Sequence, residues 1–371
     1  MMRRIPYFCS LPLLFTGCSR SNNLLLGRVQ ATVGTHTVVV TDCYRTSVDP
    51  PQKVEGGYHF MPCRDADVWI RGAELVVNGQ SYGPLQPTDP VLVDHSVVFI
   101  NAHPAQVAAP AQRASAVELD ISYDQKSPRQ TLDLYLPAKN DFTTIVYTYG
   151  GGWHSGSGKS SKPIAEKLQS LGYACALVSH RLWPPDVFPA HAEDVASAFA
   201  WVKSNIAARG GDPKRIVLAG HSSGAQLSLI VAADPRYLAP HHLSPTDILA
   251  VIGLSSPVDL TRHPDRRGYG DVLLGGPGAG VFRGDSAVMK DASPTEHVSK
   301  TLPPTLLVVG EHDFPMLVAD ASAFAKKAEA ANRKVDVMIA AGKDHMAVAR
   351  AMTDDQDPVL VHVLAFLHTL K

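Results

Sequence analysis

From residue 116 to the C-terminus, short apolar runs alternate with segments of helical period. The runs are AVELDI (116–121), TLDLYL (131–136), TTIVYTY (143–149), ACALVSH (174–180), RIVLAG (215–220), LAVIGL (249–254), TLLVVG (305–310) and KVDVMIA (334–340). Each is rich in β-branched and aliphatic residues and short enough to be a strand buried on both faces. Between them, AHAEDVASAFAWVKSNIAARG (190–210) places Val195, Phe199, Val202 and Ile206 on one stripe, the pattern of a helix packed on a sheet. PVLVHVLAFLHTL (358–370) is helical in the same sense. Strands alternating with helices predict an α/β fold over residues 116–371, a mostly parallel eight-stranded sheet with helices on both faces.

Upstream the pattern is different. RVQATVGTHTVVVTDC (28–43), DADVWIRGAELVVNGQSYG (65–83) and DPVLVDHSVVFIN (89–101) read as short strands separated by turn residues, with no helical period between them. Asn78-Gly79 marks a two-residue hairpin. Residues 18–105 are therefore read as a small all-β module of unknown role, joined by a Pro- and Ala-rich linker at 106–115. Its Tyr58, Trp69 and Tyr82 could stack on sugars, but aromatic residues in strands are first of all core residues.

The first 17 residues carry Arg3 and Arg4 and then an apolar run from Ile5 to Phe15, too short to span a bilayer. This is the pattern of an export signal, excluded from the fold. The run ends in Phe15-Thr16-Gly17-Cys18, which resembles the processing site of bacterial lipoproteins. Lipidation of Cys18 would hold the mature chain on a membrane without spanning it, and Ser19 after it resembles the type sorted to the outer membrane of the cell envelope. Export also implies an oxidising compartment. Cys43 and Cys63 are expected to form a disulfide in the β module, where closing a loop of about twenty residues stabilises by about 3 kcal/mol. Cys175, inside an apolar run, is expected to be a buried, inert thiol. No Cys-x-x-Cys or His-Glu-x-x-His spacing suggests a metal, and no cofactor is implied. A net charge of −1 with both signs interspersed offers no surface for nucleic acid.

Candidate chemistry enters at GGDPKRIVLAGHSSGAQLS (210–228), where an apolar strand runs into Gly-x-Ser-x-Gly and out into a helix. A turn that sharp lifts Ser222 clear of the sheet, and Gly220 and Gly224 leave it room. A serine nucleophile needs a base, an acid to orient that base, and donors for the oxyanion. Asp313 stands just past TLLVVG, and His345 just past KVDVMIA, in the chain order Ser, Asp, His. Their neighbours His312 and Asp344 are read as incidental surface residues. YGGGW (149–153), after the third strand of this region, lets backbone approach a substrate oxygen closely, and the N–H groups of Gly151, Gly152 and Ser223 are the expected oxyanion hole.

YGGGW, HRLWPPDVFPAHAEDVASAFAWV, GGDPKRIVLAGHSSGA, GEHD and GKDHM occur in an order that resembles the α/β-hydrolase superfamily. The branch is that of bacterial carboxylesterases similar to hormone-sensitive lipase, feruloyl esterases and kynurenine-formamidase-like enzymes. The resemblance covers residue 116 onward. It implies a serine esterase that forms an acyl-enzyme on Ser222 and needs no cofactor. The lack of a long apolar segment such as an interfacial lipase carries points to a short-acyl or aryl ester, and export with the two-part layout to an acylated glycan as a further candidate. An amidase such as an arylformamidase would use the same groups; an inactive, surface-anchored binding protein is the alternative of another class. One departure is Tyr149, where the branch has histidine; its phenol is the candidate for a loop-bracing hydrogen bond. The long Gly-rich stretch 257–303 is long enough either to cover the serine as a lid or to form a plain crossover.

Overall fold

The computed structural model describes residues 26–107 except 46, 65 and 96, then 114–261 and 278–370. Cys18 and the export signal lie outside the described residues. The chain divides into two compact units between Ala111 and Gln112.

In the first unit, among the described residues, ten strands form two five-stranded sheets. One contains β1 (Leu26–Val33), β2 (His36–Arg45), β8 (Val91–Asp94), β9 (Val97–Ile100) and β10 (His103–Pro104), in that order. The other runs in chain order through β3 (Gln52–Val54), β4 (Gly57–Cys63), β5 (Ala66–Arg71), β6 (Glu74–Val77) and β7 (Gln80–Pro84). The hairpin at Asn78-Gly79 joins β6 to β7, and both residues have positive φ (52° and 78°), as a twist-matched two-residue turn requires. Alternation does the burying: Ala66, Val68 and Ile70 of β5 point into the module's core with Val38, Val40, Phe60, Leu75 and Val77.

The expected Cys43–Cys63 disulfide is not formed. Cys43 is buried on β2 and Cys63 is half-buried at the end of β4, so the two belong to different sheets. Valine, leucine, isoleucine and phenylalanine side chains fill this core without a cross-link. Trp69 also departs from the core reading. It faces outward, stacked on His59 (centroids 4.1 Å apart) with the Arg71 guanidinium 4.7 Å from its ring, whereas Tyr58 and Tyr82 pack against the core.

The second unit is built on one eight-stranded sheet. Its strands are β11 (Ala116–Ser122), β12 (Thr131–Leu136), β13 (Phe142–Thr148), β14 (Ala174–Val178), β15 (Gly211–His221), β16 (Ala250–Leu254), β17 (Thr305–Gly310) and β18 (Val335–Ala340). The spatial order is β11-β12-β14-β13-β15-β16-β17-β18; β12 is antiparallel to both its neighbours and every pair from β14 to β18 is parallel. All eight apolar runs became strands. Alternate side chains serve opposite faces. Val146, Leu218, Val251 and Leu307 pack with α2 (Ala190–Asn205), α3 (Ser223–Ala233) and α6 (Pro315–Ala330). Ile145, Val217, Ile252, Leu306 and Val308 pack with α1 (Lys162–Ser170), α7 (His345–Ala351) and α8 (Pro358–Thr369). Central strands buried on both faces explain why their sequences read as continuous apolar runs. Cys175 sits at zero exposure in β14, and burial pushes its thiol well above the ordinary range, as an inert position requires.

The described parts of 257–303 are built into the body of this unit. Phe282, beside α4 (Gly278–Val281), is fully buried against Trp153, and the Phe188 amide donates to the Val281 carbonyl. The Thr295 hydroxyl and amide both donate to the Val258 carbonyl, and the Leu260 amide to Ser293 Oγ. The short helix α5 (Ser286–Asp291) lies between these points. Residues 262–277 lie outside the described residues. Among the described residues, no helix is long and apolar enough to cross a membrane.

Candidate active site

Ser222 sits between the end of β15 and the start of α3 with φ 54° and ψ −125°, a region costly for a residue with a Cβ. The turn is held from both sides. The Ser222 amide donates to the Leu254 carbonyl of β16 at 2.9 Å, and its carbonyl accepts from Ala225 and Gln226 in the first turn of α3. Any Cβ on Gly224 would lie 2.2 Å from the carbonyl oxygens of Thr148 and Tyr149, and one on Gly220 2.6 Å from the Gly224 backbone. The two glycines are therefore demanded by packing between β13 and the turn.

Ser222, His345 and Asp313 meet at the C-terminal edge of the sheet. His345 Nε2 lies 2.9 Å from Ser222 Oγ, and His345 Nδ1 lies 2.7 Å from Asp313 Oδ1. Because a carboxylate only accepts, Nδ1 carries the proton and Nε2 faces the serine hydroxyl as acceptor. Asp313 is buried, which by itself would raise its pKa. Hydrogen bonds from His345, from Ser255 Oγ to Oδ2 at 2.5 Å and from the Phe314 amide to Oδ1 at 2.9 Å outweigh burial and hold the carboxyl below its ordinary value. The ring of Phe314 lies 4.8 Å from that of His345. His312 is exposed, and Asp344 turns away to cap α7, accepting from the Ala347 amide at 2.7 Å.

The glycine loop lies beside Ser222 but is not arranged as three free donors. Gly151 N–H donates to Ser223 Oγ at 3.1 Å. The Gly151 carbonyl accepts from the amides of His154 and Ser155 and from Ser155 Oγ. A trans peptide points its C=O and N–H in opposite directions, so these contacts also aim the N–H of Gly152. Among the described residues, neither the Gly152 nor the Ser223 amide has a hydrogen-bond partner. Below the loop, Tyr149 braces by packing, and its hydroxyl makes no hydrogen bond of good geometry among the described residues. Its ring stacks on His180 (4.8 Å, 9°), and a Cβ on Gly156 would collide with it at 2.6 Å. Trp153 is anchored in turn, its Nε1 donating to Gln226 Oε1 at 2.9 Å while Gln226 Nε2 donates to the Ala292 carbonyl.

Four contributors were not singled out in the sequence: His221, Ser255, Gln226 and His180. His221 Nε2 donates to the His345 carbonyl at 2.8 Å, tying the residue before the serine to the histidine itself. Burial, followed by the nearby His345, lowers the His221 pKa to about 4, so it is a neutral strut. Ser255 follows β16 with φ 52°, at the strand end between those carrying Ser222 and Asp313. A polar residue ending an apolar strand of the same sheet was the available signal. His180 stands behind the loop near His191, and burial lowers their pKa values to about 4 and about 3. Beside them the Arg181 guanidinium pairs with fully buried Asp194 at 2.7 Å. Among the described residues, no group of three or more His, Cys, Asp or Glu side chains could hold a metal ion.

Strand order, the sharp turn at Ser222 and the aspartate and histidine at later strand ends together define an α/β-hydrolase. Comparison with known proteins agrees. The model of the BD-FAE family matches residues 132–328, more than half of the chain, and the chain belongs to that family. Esterase LipC of Mycobacterium tuberculosis is 30% identical over 217 residues, 56% of this chain and 54% of that protein. The probable carboxylic ester hydrolase LipM of the same organism is 30% identical over 221 residues, 55% and 50% of the two chains. The isoprenylcysteine alpha-carbonyl methylesterase ICME of Arabidopsis thaliana is 28% identical over 257 residues, 65% and 59%. The chain thus spans about half the length of the curated relatives it matches. Among solved structures, a truncated carbohydrate esterase from gut microbiota superposes with a TM-score of 0.58 at 22% identity, covering 71% of this chain and 98% of that one. Est2 of Thermogutta terrifontis gives 0.56 at 24%, covering 69% and 92%. Both share the fold.

Proposed function

We propose that the protein is a serine esterase that cleaves small carboxylic esters through an acyl-enzyme on Ser222. The observation that carries this reading is the continuous chain Ser222 Oγ, His345, Asp313, with contacts of 2.9 and 2.7 Å at a strained strand-to-helix turn. His345 Nε2 accepts the serine proton as Oγ attacks the ester carbonyl, then returns it to the leaving alcohol. Water, deprotonated by the same nitrogen, releases the acid. Asp313 stays ionised and holds the imidazolium that forms in each step. The Gly152 and Ser223 amides are the backbone donors left for the developing oxyanion at the N-terminus of α3, where the helix dipole favours negative charge, since Gly151 N–H is bonded to Ser223 Oγ.

A soluble chain starting at Ser19 should hydrolyse p-nitrophenyl esters with a burst of p-nitrophenol, and Ser222→Ala should lose turnover on the order of 10⁴-fold or more. Formylated arylamines run in parallel separate an esterase from an arylformamidase, which needs the same groups. Wild-type and variant protein equally inert on both substrate classes would leave a binding protein as the reading instead.

The proposed site of action is the cell envelope, with lipidated Cys18 holding the mature chain on the outer membrane; Phe15-Thr16-Gly17-Cys18 supports this. Cys18→Ala should move the protein from the membrane fraction to the soluble one. In the same setting the β module would direct the esterase to acylated glycans, a reading that fails if the module retains no envelope polysaccharide in pull-down.

A further inference from the structure

The bond between Gly151 N–H and Ser223 Oγ takes one of the three expected oxyanion donors out of direct use. It also leaves something over. Ser223 is buried at 2% exposure, and a hydroxyl carries one proton to donate as well as lone pairs to accept with. Among the described residues, Ser223 Oγ accepts from Gly151 and its own proton has no acceptor. A buried hydroxyl with an unspent donor normally finds a partner. Its position narrows what the partner is. The hydroxyl shares a residue with one free amide, is bonded to the residue before the other (Gly152), and adjoins the nucleophile in sequence.

We propose that the Ser223 hydroxyl is itself an oxyanion donor, so that this hole works through the Gly152 amide, the Ser223 amide and the Ser223 O–H, with Gly151 acting one step removed. Gly151 N–H donates to Oγ, and accepting that bond makes the O–H a stronger donor. As the ester carbonyl becomes a tetrahedral alkoxide, the O–H rotates onto the new negative charge; no bond to hydrogen breaks, and the Gly151 bond fixes where the oxygen stays. A planar ground-state carbonyl holds less charge, so the contribution falls on the transition state and therefore on kcat rather than KM. The inference rests on the proposed acyl-enzyme at Ser222 and goes beyond the backbone amides of that reading.

The test compares wild type with Ser223→Ala, Ser223→Thr and Ser222→Ala on one p-nitrophenyl ester, with inhibition by a trifluoromethyl ketone that forms a tetrahedral adduct. Loss of one such donor lowers kcat on the order of 10²-fold. Ser223→Ala should show that loss with KM nearly unchanged and the ketone weakened in proportion, and Ser223→Thr should recover most of both. Ser223→Ala within about twofold of wild type in kcat, or a loss confined to KM, would overturn the proposal. So would a loss that Ser223→Thr deepens while the melting temperatures stay equal. Wild-type turnover abolished in Ser222→Ala shows the underlying reading intact when the Ser223 result fails. If wild type neither turns over nor is labelled at Ser222 by a fluorophosphonate, both fall together.

Discussion

Acidification should destabilise the hydrolase unit well above the pH at which carboxylates titrate, because three buried histidines are held neutral. Burial lowers the pKa of His180 and of His221 to about 4 and that of His191 to about 3, against 6.5 for a free side chain. The unfolded chain binds three protons that the native state refuses, so stability is complete above about pH 6.5 and drains away as pH falls from there towards the native values. At pH 5.5 each histidine has lost about 1.3 kcal/mol relative to pH 7.5, or about 4 kcal/mol for the three, and the limiting slope is about 4 kcal/mol per pH unit. Against a total stability on the order of 5–15 kcal/mol this is a large share, worth roughly 10 °C in melting temperature. Urea titrations at half-unit steps from pH 7.5 to 5, followed by tryptophan fluorescence, measure it; Trp153, Trp183 and Trp201 all report on this unit. His191 offers an internal control, since neither ring nitrogen has a hydrogen bond of good geometry among the described residues. His191→Leu should be tolerated at pH 7.5 and should reduce the slope by about 1.4 kcal/mol per pH unit. A flat profile between pH 7.5 and 5.5, or an unchanged slope in His191→Leu, would refute the argument.

Three substitutions test the supports of the site. Ser255→Ala removes the 2.5 Å hydrogen bond to Asp313 Oδ2 and should cost about 1.5–3 kcal/mol at neutral pH. The native carboxyl would then rise towards its unfolded value, so the difference from wild type, measured by urea unfolding, should shrink as pH falls below about 4. Gly224→Ala forces a Cβ to 2.2 Å from two backbone oxygens of the neighbouring strand and loop; little folded protein should be recovered, as circular dichroism of the soluble fraction would show. Trp153→Phe leaves Gln226 Oε1 without its donor, at a cost of about 1–3 kcal/mol, and should lower kcat on esters by loosening the glycine loop.

The second unit was legible because its central strands are covered on both faces. Runs such as RIVLAG and TLLVVG carry an unbroken apolar signal, and each candidate catalytic residue stands directly after one. The supports were not legible because they are contacts between distant segments. Ser255 reaches Asp313 across 58 positions and Gln226 reaches the Ala292 carbonyl across 66, distances over which local pattern carries no information. The glycine loop was readable as close-approach backbone, but the capture of Gly151 by a side chain depends on the rotamer of Ser223. In the β module, spacing suggested a disulfide although it cannot say where β2 and β4 place their cysteine side chains in space. β4 was hard to see for a further reason: its register shifts between Phe60 and Cys63 around Pro62, which breaks the alternation that marks a strand.

The histidine of the site is delivered by the outermost strand. β18 pairs with β17 alone and is half-exposed for most of its length, and His345 follows it after a four-residue turn. Peeling β18 away would break one ladder, lift Val335, Val337 and Ala340 and the start of α7 off the cores, and carry His345 out of reach of Ser222. Loss of the proposed activity on heating is then expected to begin at this one seam at the rim. Reinforcing that seam would extend working life at temperature even if the global melting point stayed where it is.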